Sequence, residues 1–120
     1  MEVVAKFLST LFASRTQAHI FHLQTMSYAV HKALNEYYDD ITDHIDNYAE
    51  TCQGKHGIIK GYNLPTQLFE DDSALKYFMG LQSYIDSVRG QLPQDGELNN
   101  IVDEIAGLVA TTVYKLRFLK

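Results

Sequence analysis

No glycine or proline occurs between residues 3 and 53, a stretch long enough for more than one helix. These two residues most often end helices, so their absence favours helix throughout the stretch. Apolar residues recur at steps of three and four, which places them along one face of a helix. The first apolar stripe is Val4, Phe7, Leu8, Leu11, Phe12, Ala18 and Phe21, and the second is Val30, Ala33, Leu34, Tyr37, Ile41, Ile45, Tyr48 and Cys52.

A single helix through this whole stretch would be about 75 Å long, too long for a small compact domain. We therefore predict a break, and the sequence favours Gln24–Ser27 as its position. Thr25 and Ser27 have hydroxyl groups that can cap a new helix N-terminus. Such a break leaves His19 and His31 near the same end of two consecutive helices.

A long connection follows, because residues 54–72 carry three glycines and one proline. Asp71, Asp72 and Ser73 then offer N-caps for a third helix. Its apolar stripe is Leu75, Phe78, Leu81, Ile85, Val88 and Leu92.

Gly90 and Pro93 end the third helix, and Asp95 opens a fourth. Gly80 and Gly107 lie inside these two helices, where they predict close approach of a neighbouring helix. The fourth apolar stripe is Leu98, Ile101, Ile105, Leu108, Thr112, Leu116 and Leu119.

The lengths of the three connections predict the topology. The first and third are short, so helices 1 and 2, and helices 3 and 4, are antiparallel neighbours. The second can reach about 59 Å when extended, enough for a crossover along the bundle that leaves helices 2 and 3 parallel. We predict an all-α fold, an antiparallel four-helix bundle with a long crossover between helices 2 and 3, in a single domain of residues 1–120.

Composition and charge exclude several function classes. The chain has a formal net charge of −5, so long-range attraction to nucleic acid is absent and direct DNA binding is not expected. The basic residues Lys115, Arg117 and Lys120 are interpreted as favourable charge at a helix C-terminus. Cys52 is the single cysteine and is predicted to be a buried apolar residue. The sequence contains neither a signal peptide nor a membrane-spanning run, which predicts a cytoplasmic protein.

Histidines and carboxylates cluster on the first two helices. Asp46 and Glu50 are four residues apart, so both carboxylates project from one helix face, where a cation can lie between them. Carboxylates at this spacing more often form a solvated face, and a single histidine is more often a hydrogen-bonded structural residue. His19 and His31 complete the candidate set.

The spacing of the four residues and the flanking motifs QAH, AVH and DHID resemble the Dps-type miniferritins of the ferritin-like superfamily. The resemblance implies a ferritin-like bundle and an iron site whose metal ligands are His19, His31, Asp46 and Glu50. It also implies oxidation of Fe(II) to Fe(III) and storage of the ferric product in a homo-oligomer, up to a dodecameric shell. Imidazole and carboxylate ligands suit Fe(II), with Zn(II) or Mn(II) as competitors.

His31 and Asp46 are fifteen residues apart, or about 22 Å along one helix, so one metal cannot contact both within one chain. A two-fold partner with an antiparallel second helix would bring its carboxylates opposite His31. The chain departs from the family at Ile20, where a Trp is usual, and at Asn35, where an acid commonly helps to hold a second iron. The alternative hypothesis is a non-catalytic ferritin-like bundle that acts as an oligomeric structural or adaptor module.

Overall fold

The computed structural model describes residues 1–70 and 73–120, and in that part of the chain all regular structure is helical. The helices are α1 (Glu2–Gln24), α2 (Tyr28–His56), α3 (Ala74–Val88) and α4 (Gly96–Phe118), with a short 3-10 turn at Arg89–Gln91 after α3. The predicted all-α class is confirmed. None of these helices combines the length and the apolar character needed to cross a membrane.

The break between α1 and α2 lies within the predicted range Gln24–Ser27. α1 ends at Gln24 and α2 begins at Tyr28. The Ser27 hydroxyl accepts a hydrogen bond from the Val30 amide at 3.2 Å, and the Thr25 hydroxyl accepts one from the Ser27 amide at 3.1 Å. The N-cap thus satisfies an amide that the first helical turn would leave unpaired.

The end of α2 differs from the prediction. The helix continues through Gly54 to His56 and ends at Gly57, whose φ of 98° is in the left-handed region that favours glycine. Gly54 is tolerated because a single glycine costs only about 1 kcal/mol relative to Ala within a helix. The connection is therefore shorter than predicted.

The starts of α3 and α4 also differ in detail. The predicted caps Asp71 and Asp72 lie outside the described residues, and the Ser73 side chain makes no cap bond to α3. Asp95 is the N-cap residue of α4, as predicted, but its side chain makes no cap bond there. Its carboxylate instead accepts a hydrogen bond from His56, the last residue of α2.

The predicted stripe of α4 is partly wrong. Leu119 is exposed and Leu108 and Leu116 are only half-buried, whereas Val102, Val109 and Val113 are buried. The buried face is rotated because α4 packs against both α2 and α3, so a wider arc than one stripe is covered. The prediction for Gly80 and Gly107 is wrong as well: a Cβ at either position would meet open space.

Specific side-chain contacts hold the helices together. Phe7 lies against Tyr48 with ring centroids 5.3 Å apart, and the Ser14 and Tyr37 hydroxyls are 2.7 Å apart. The fully buried core residues include Leu8, Leu11, Leu34, Ile41, Ile45, Phe78, Ile85, Leu98 and Ile105. Cys52 is buried, as predicted, and burial raises the pKa of its thiol.

Residues 57–70 follow α1 and are held by two of its buried polar side chains. The Asn63 amide donates to the Ser9 hydroxyl at 3.0 Å. Farther along, the Gln17 side chain donates to the Phe69 carbonyl at 2.7 Å and accepts from the Phe69 amide at 2.9 Å. These bonds give partners to main-chain amide and carbonyl groups of a segment that has no regular secondary structure. The segment can therefore pack against the bundle.

Ion pairs join the C-terminal end of α2 to the N-terminal end of α4. The hydrogen bond from His56, at 2.9 Å, lowers the pKa of Asp95, and Lys55, at 2.7 Å, lowers the pKa of Glu97. Each carboxyl pKa is lower in the folded chain than in the unfolded chain. Both groups therefore stabilise the fold above the unfolded pKa values, and this stabilisation is lost as pH falls through the folded ones.

We expect the urea midpoint to fall as pH is lowered from about 5 to about 3, and Glu97→Gln to make that fall shallower. The effect is small because the groups are exposed. Urea titrations monitored by circular dichroism measure it, with Asp86→Asn, an exposed acid on α3, as control. Equal pH dependence in the two variants would contradict the assignment.

Candidate metal centre

The turn between α1 and α2 brings three histidines together. His22 lies between the two predicted ligands: its ring centroid is 5.8 Å from that of His19 and 3.6 Å from that of His31. The His22 and His31 rings are stacked, with 19° between their planes. The prediction that the break leaves His19 and His31 near the same end is confirmed.

Reciprocal hydrogen bonds fix the stacked pair. His22 Nδ1 is 2.7 Å from the His31 carbonyl oxygen, and His31 Nδ1 is 2.8 Å from the His22 carbonyl oxygen. A carbonyl oxygen only accepts, so both Nδ1 atoms carry hydrogen, and in the neutral rings each Nε2 keeps its lone pair. Metal-binding histidines are oriented by the same kind of bond from the other ring nitrogen.

His19 is exposed and rests on a second aromatic ring. It stacks on Tyr38 with centroids 4.3 Å apart and 15° between the planes. The Tyr38 hydroxyl donates to Asn35 Oδ1 at 2.7 Å, and Asn35 Nδ2 donates to Asp39 Oδ2 at 3.0 Å. This Asp39–Asn35–Tyr38 chain holds the ring on which His19 lies.

An open groove runs beside His19 between α1 and α2. Its lining includes Arg15 and Asp39, which carry opposite charges, together with Thr16, Ile20, Leu23, Tyr38 and Thr42. The positive charge of Arg15 opposes cation binding in the groove, and the carboxylate of Asp39 offsets that effect.

The carboxylates of the predicted site lie elsewhere on α2. Asp46 and Glu50 are exposed, one turn apart, and Asp46 is about 22 Å along the helix from His31. Within residues 1–70 and 73–120, no three His, Cys, Asp or Glu side chains are grouped closely enough to hold a metal ion. One chain therefore places both predicted histidines beside His22 but keeps both carboxylates away from them.

Two contributors to the site were not predicted. The four-residue spacing motif includes neither His22 nor Tyr38. The available signal was the turn itself: residues flanking a short helix–helix connection face each other, and His22 and His31 are the histidines nearest to it on either side.

Asn35 uses both halves of its amide: Oδ1 accepts from the Tyr38 hydroxyl, and Nδ2 donates to Asp39. Asn35→Asp would place a carboxylate against Asp39, where the amide nitrogen now lies 3.0 Å away. Because like charges repel, we expect the metal-free variant to lose about 1 kcal/mol, and Mn(II) or Fe(II) to restore more stability than in wild type. Thermal unfolding with and without Mn(II) measures both effects.

Asn35→Ala is the matched control, since it removes the same hydrogen bonds without adding charge. Mn(II) should stabilise the Asn35→Asp variant more than the Asn35→Ala variant, which should respond as wild type does. If both variants respond equally to Mn(II), the carboxylate pair plays no part.

These observations define an all-helical protein with a histidine-bearing helical hairpin and separate surface carboxylates. The model of a family of unknown function, DUF5856, matches residues 22–116, and the chain belongs to this family. The matched residues include His22, His31, Asp46 and Glu50, whereas His19 precedes them.

The chain is also similar to a protein of Enterobacteria phage T4 described as an uncharacterized 14.6 kDa protein in the mobD-ri intergenic region. The two are 24% identical over 111 residues, which cover 92% of this chain and 85% of the phage protein. No solved structure matches the chain.

Proposed function

We propose that this protein is a ferritin-like, Dps-type iron-binding protein that oxidises Fe(II) at sites shared between two subunits and stores the ferric product. The observation that carries the proposal is the orientation of His31. Its Nδ1 donates to the His22 carbonyl, so the neutral ring offers Nε2 as a ligand beside the helix that bears His19.

The helix contacts support a ferritin-like arrangement. Early α1 meets late α2 through Phe7 and Tyr48, and late α1 meets early α2 through His22 and His31. α4 meets α2 in the same opposed sense, with Lys115 bonded to Glu36 and Glu97 bonded to Lys55. A crossover that follows α1 from Ser9 to Gln17 fits helices 2 and 3 running parallel.

The separation of histidines and carboxylates supports a shared site. A two-fold partner whose α2 runs antiparallel to this one would bring its carboxylates opposite His31. The same symmetry would bring this chain's carboxylates opposite the partner's histidine, which gives two equal sites per dimer. His19 and His31 would then be ligands from one subunit, and Asp46 and Glu50 of the partner subunit would be the others. Neutral imidazole with carboxylate suits Fe(II), and also admits Zn(II) or Mn(II).

In the proposed reaction Fe(II) is the substrate, and peroxide or oxygen accepts its electrons. The imidazoles hold the ion only when neutral, and the carboxylates offset the charge that iron gains on oxidation. Ferric product would collect inside a homo-oligomer, up to a dodecamer. No DNA-binding role is proposed, because the chain carries a formal charge of −5.

Asp46→Ala tests the carboxylate side. We expect anaerobic Fe(II) binding to weaken about tenfold or more, because a shared site would lose one of its few ligands. Stability in urea should stay the same or rise slightly, since Asp46 lies one helical turn from Asp43 and Glu50 and repels both. Isothermal titration under argon and urea unfolding measure the two quantities.

Asp40→Ala removes an exposed carboxylate from the same helix and is the matched control. It should leave Fe(II) binding unchanged. Equal Fe(II) binding by Asp46→Ala and Asp40→Ala would exclude Asp46 as a ligand, and a large loss of stability in metal-free Asp46→Ala would count against this role.

The second candidate function, a non-catalytic oligomeric or adaptor module, is favoured by one observation. The His22 and His31 rings already pack on each other and bond reciprocally, which locks the hairpin without any metal. In this case His22→Ala and His31→Ala would lower stability equally with and without Fe(II), whereas a metal site predicts a stability gain from Fe(II) in wild type that His31→Ala lacks.

A further inference from the structure

The end of α4 forms a basic and aromatic patch that the proposed iron site does not use. Residues 105–120 contain three basic residues and no acid, in a chain whose net charge is −5. Tyr114, Phe118 and Leu119 are 53%, 64% and 44% exposed. We name Tyr114, Arg117, Phe118, Leu119 and Lys120 the α4 terminal patch.

The patch has internal order. The Tyr114 and Phe118 rings are 5.8 Å apart, and the Arg117 guanidinium lies 5.9 Å from the centroid of the Phe118 ring. Lys115 is bonded to Glu36 and lies in the last turn of α4, so this ion pair and the favourable charge at a helix C-terminus account for that lysine. They do not account for two adjacent exposed rings beside an exposed guanidinium, a combination typical of interface centres.

A complementary surface lies on the outer side of α2. Asp39, Asp40 and Asp43 are exposed there, and we name them the α2 acidic face. None of the three forms an ion pair within the described ranges 1–70 and 73–120. These carboxylates repel one another in the single chain, and a bound guanidinium or ammonium group would relieve that repulsion.

We propose that the α4 terminal patch of one copy docks on the α2 acidic face of a second copy of this chain. Arg117 and Lys120 pair with the carboxylates, and the two aromatic rings bury their exposed faces against α2. Each copy has one patch and one face. The proposed contact runs head to tail, from the patch of one copy to the face of the next, so it is heterologous and, repeated, builds a closed ring or a longer assembly. The contact needs no iron.

A charge swap tests the contact in the full chain, with a chelator in the buffer and no metal added. One variant carries Arg117→Glu and Lys120→Glu, a second carries Asp40→Lys and Asp43→Lys, and a third carries all four changes. At about 50 mM salt, wild type should sediment as a species larger than a dimer, and about 500 mM salt should dissociate it. Each double variant should associate about tenfold more weakly, and the fourfold variant should return to within about threefold of wild type.

Lys6→Glu with Lys60→Glu changes the net charge by as much as Arg117→Glu with Lys120→Glu, at exposed positions outside the patch, and is the control for that variant. Circular dichroism verifies that every variant is folded. Unchanged association in the double variants, no recovery in the fourfold variant, or an equal loss in the control overturns the proposal.

Two further outcomes are informative. Binding of wild type to phosphatidylserine vesicles, lost in the Arg117 and Lys120 variant while association stays constant, would assign the patch to a membrane and overturn the proposal. His31→Ala removes a proposed iron ligand outside the α2 acidic face and should associate as wild type does, so failure of the iron site and failure of this contact are distinguishable.

Discussion

His31→Ala should abolish the ability of this protein to oxidise Fe(II) faster than buffer does. With wild type, added peroxide should give ferric absorbance more rapidly than in protein-free solution. Removing one of so few ligands leaves an open and weakly held ion. Stopped-flow absorbance after anaerobic loading measures the rate.

His56→Ala is the matched control, because His56 lies at the opposite end of α2 and bonds to Asp95. It should oxidise iron as wild type does. If wild type and His31→Ala oxidise iron at the same rate, the ferroxidase proposal fails and the structural or adaptor module takes its place.

Gln17→Leu should have the largest effect on stability outside the apolar core. Gln17 satisfies both the amide and the carbonyl of Phe69, and leucine can satisfy neither. Because these backbone groups then lie partly buried without partners, we expect a loss of about 2 kcal/mol in the free energy of unfolding. Urea unfolding monitored by circular dichroism gives this value.

Gln24→Leu makes the same chemical change at the exposed end of α1 and should cost less than about 0.5 kcal/mol. A similarly small loss for Gln17→Leu would mean that the crossover is held by other contacts, such as the packing of Phe12 on Tyr62 or Phe69 on Tyr77.

Much of the fold could be predicted because local chemistry decides it. Ser27 caps α2 with its own hydroxyl, and the apolar stripe of α2 alone identifies its buried face. The path of the crossover could not be predicted in the same way. Ser9 and Gln17 are polar residues in a helix, and only the packed structure reveals that they are buried and bonded to residues 52 to 54 positions later.

The candidate site shows the same division. The distance between His31 and Asp46 follows from helix geometry, so the sequence predicted that one chain cannot hold a metal between them. The stacking of His22 on His31 depends on the register between α1 and α2, which side-chain packing sets. The role of Asn35 in bridging Tyr38 and Asp39 likewise required positions in space.

The measurement that most directly tests the shared site is Fe(II) binding by a mixture of two inactive variants. His31→Ala and Asp46→Ala would be mixed in equal amounts, dissociated, reassociated and titrated with Fe(II) under argon. Random pairing makes half of the dimers mixed, and each mixed dimer has one intact site of two, so the mixture should bind about a quarter as much Fe(II) as wild type. Binding that stays at the average of the two separate variants would contradict a site built from His31 of one subunit and Asp46 of the other.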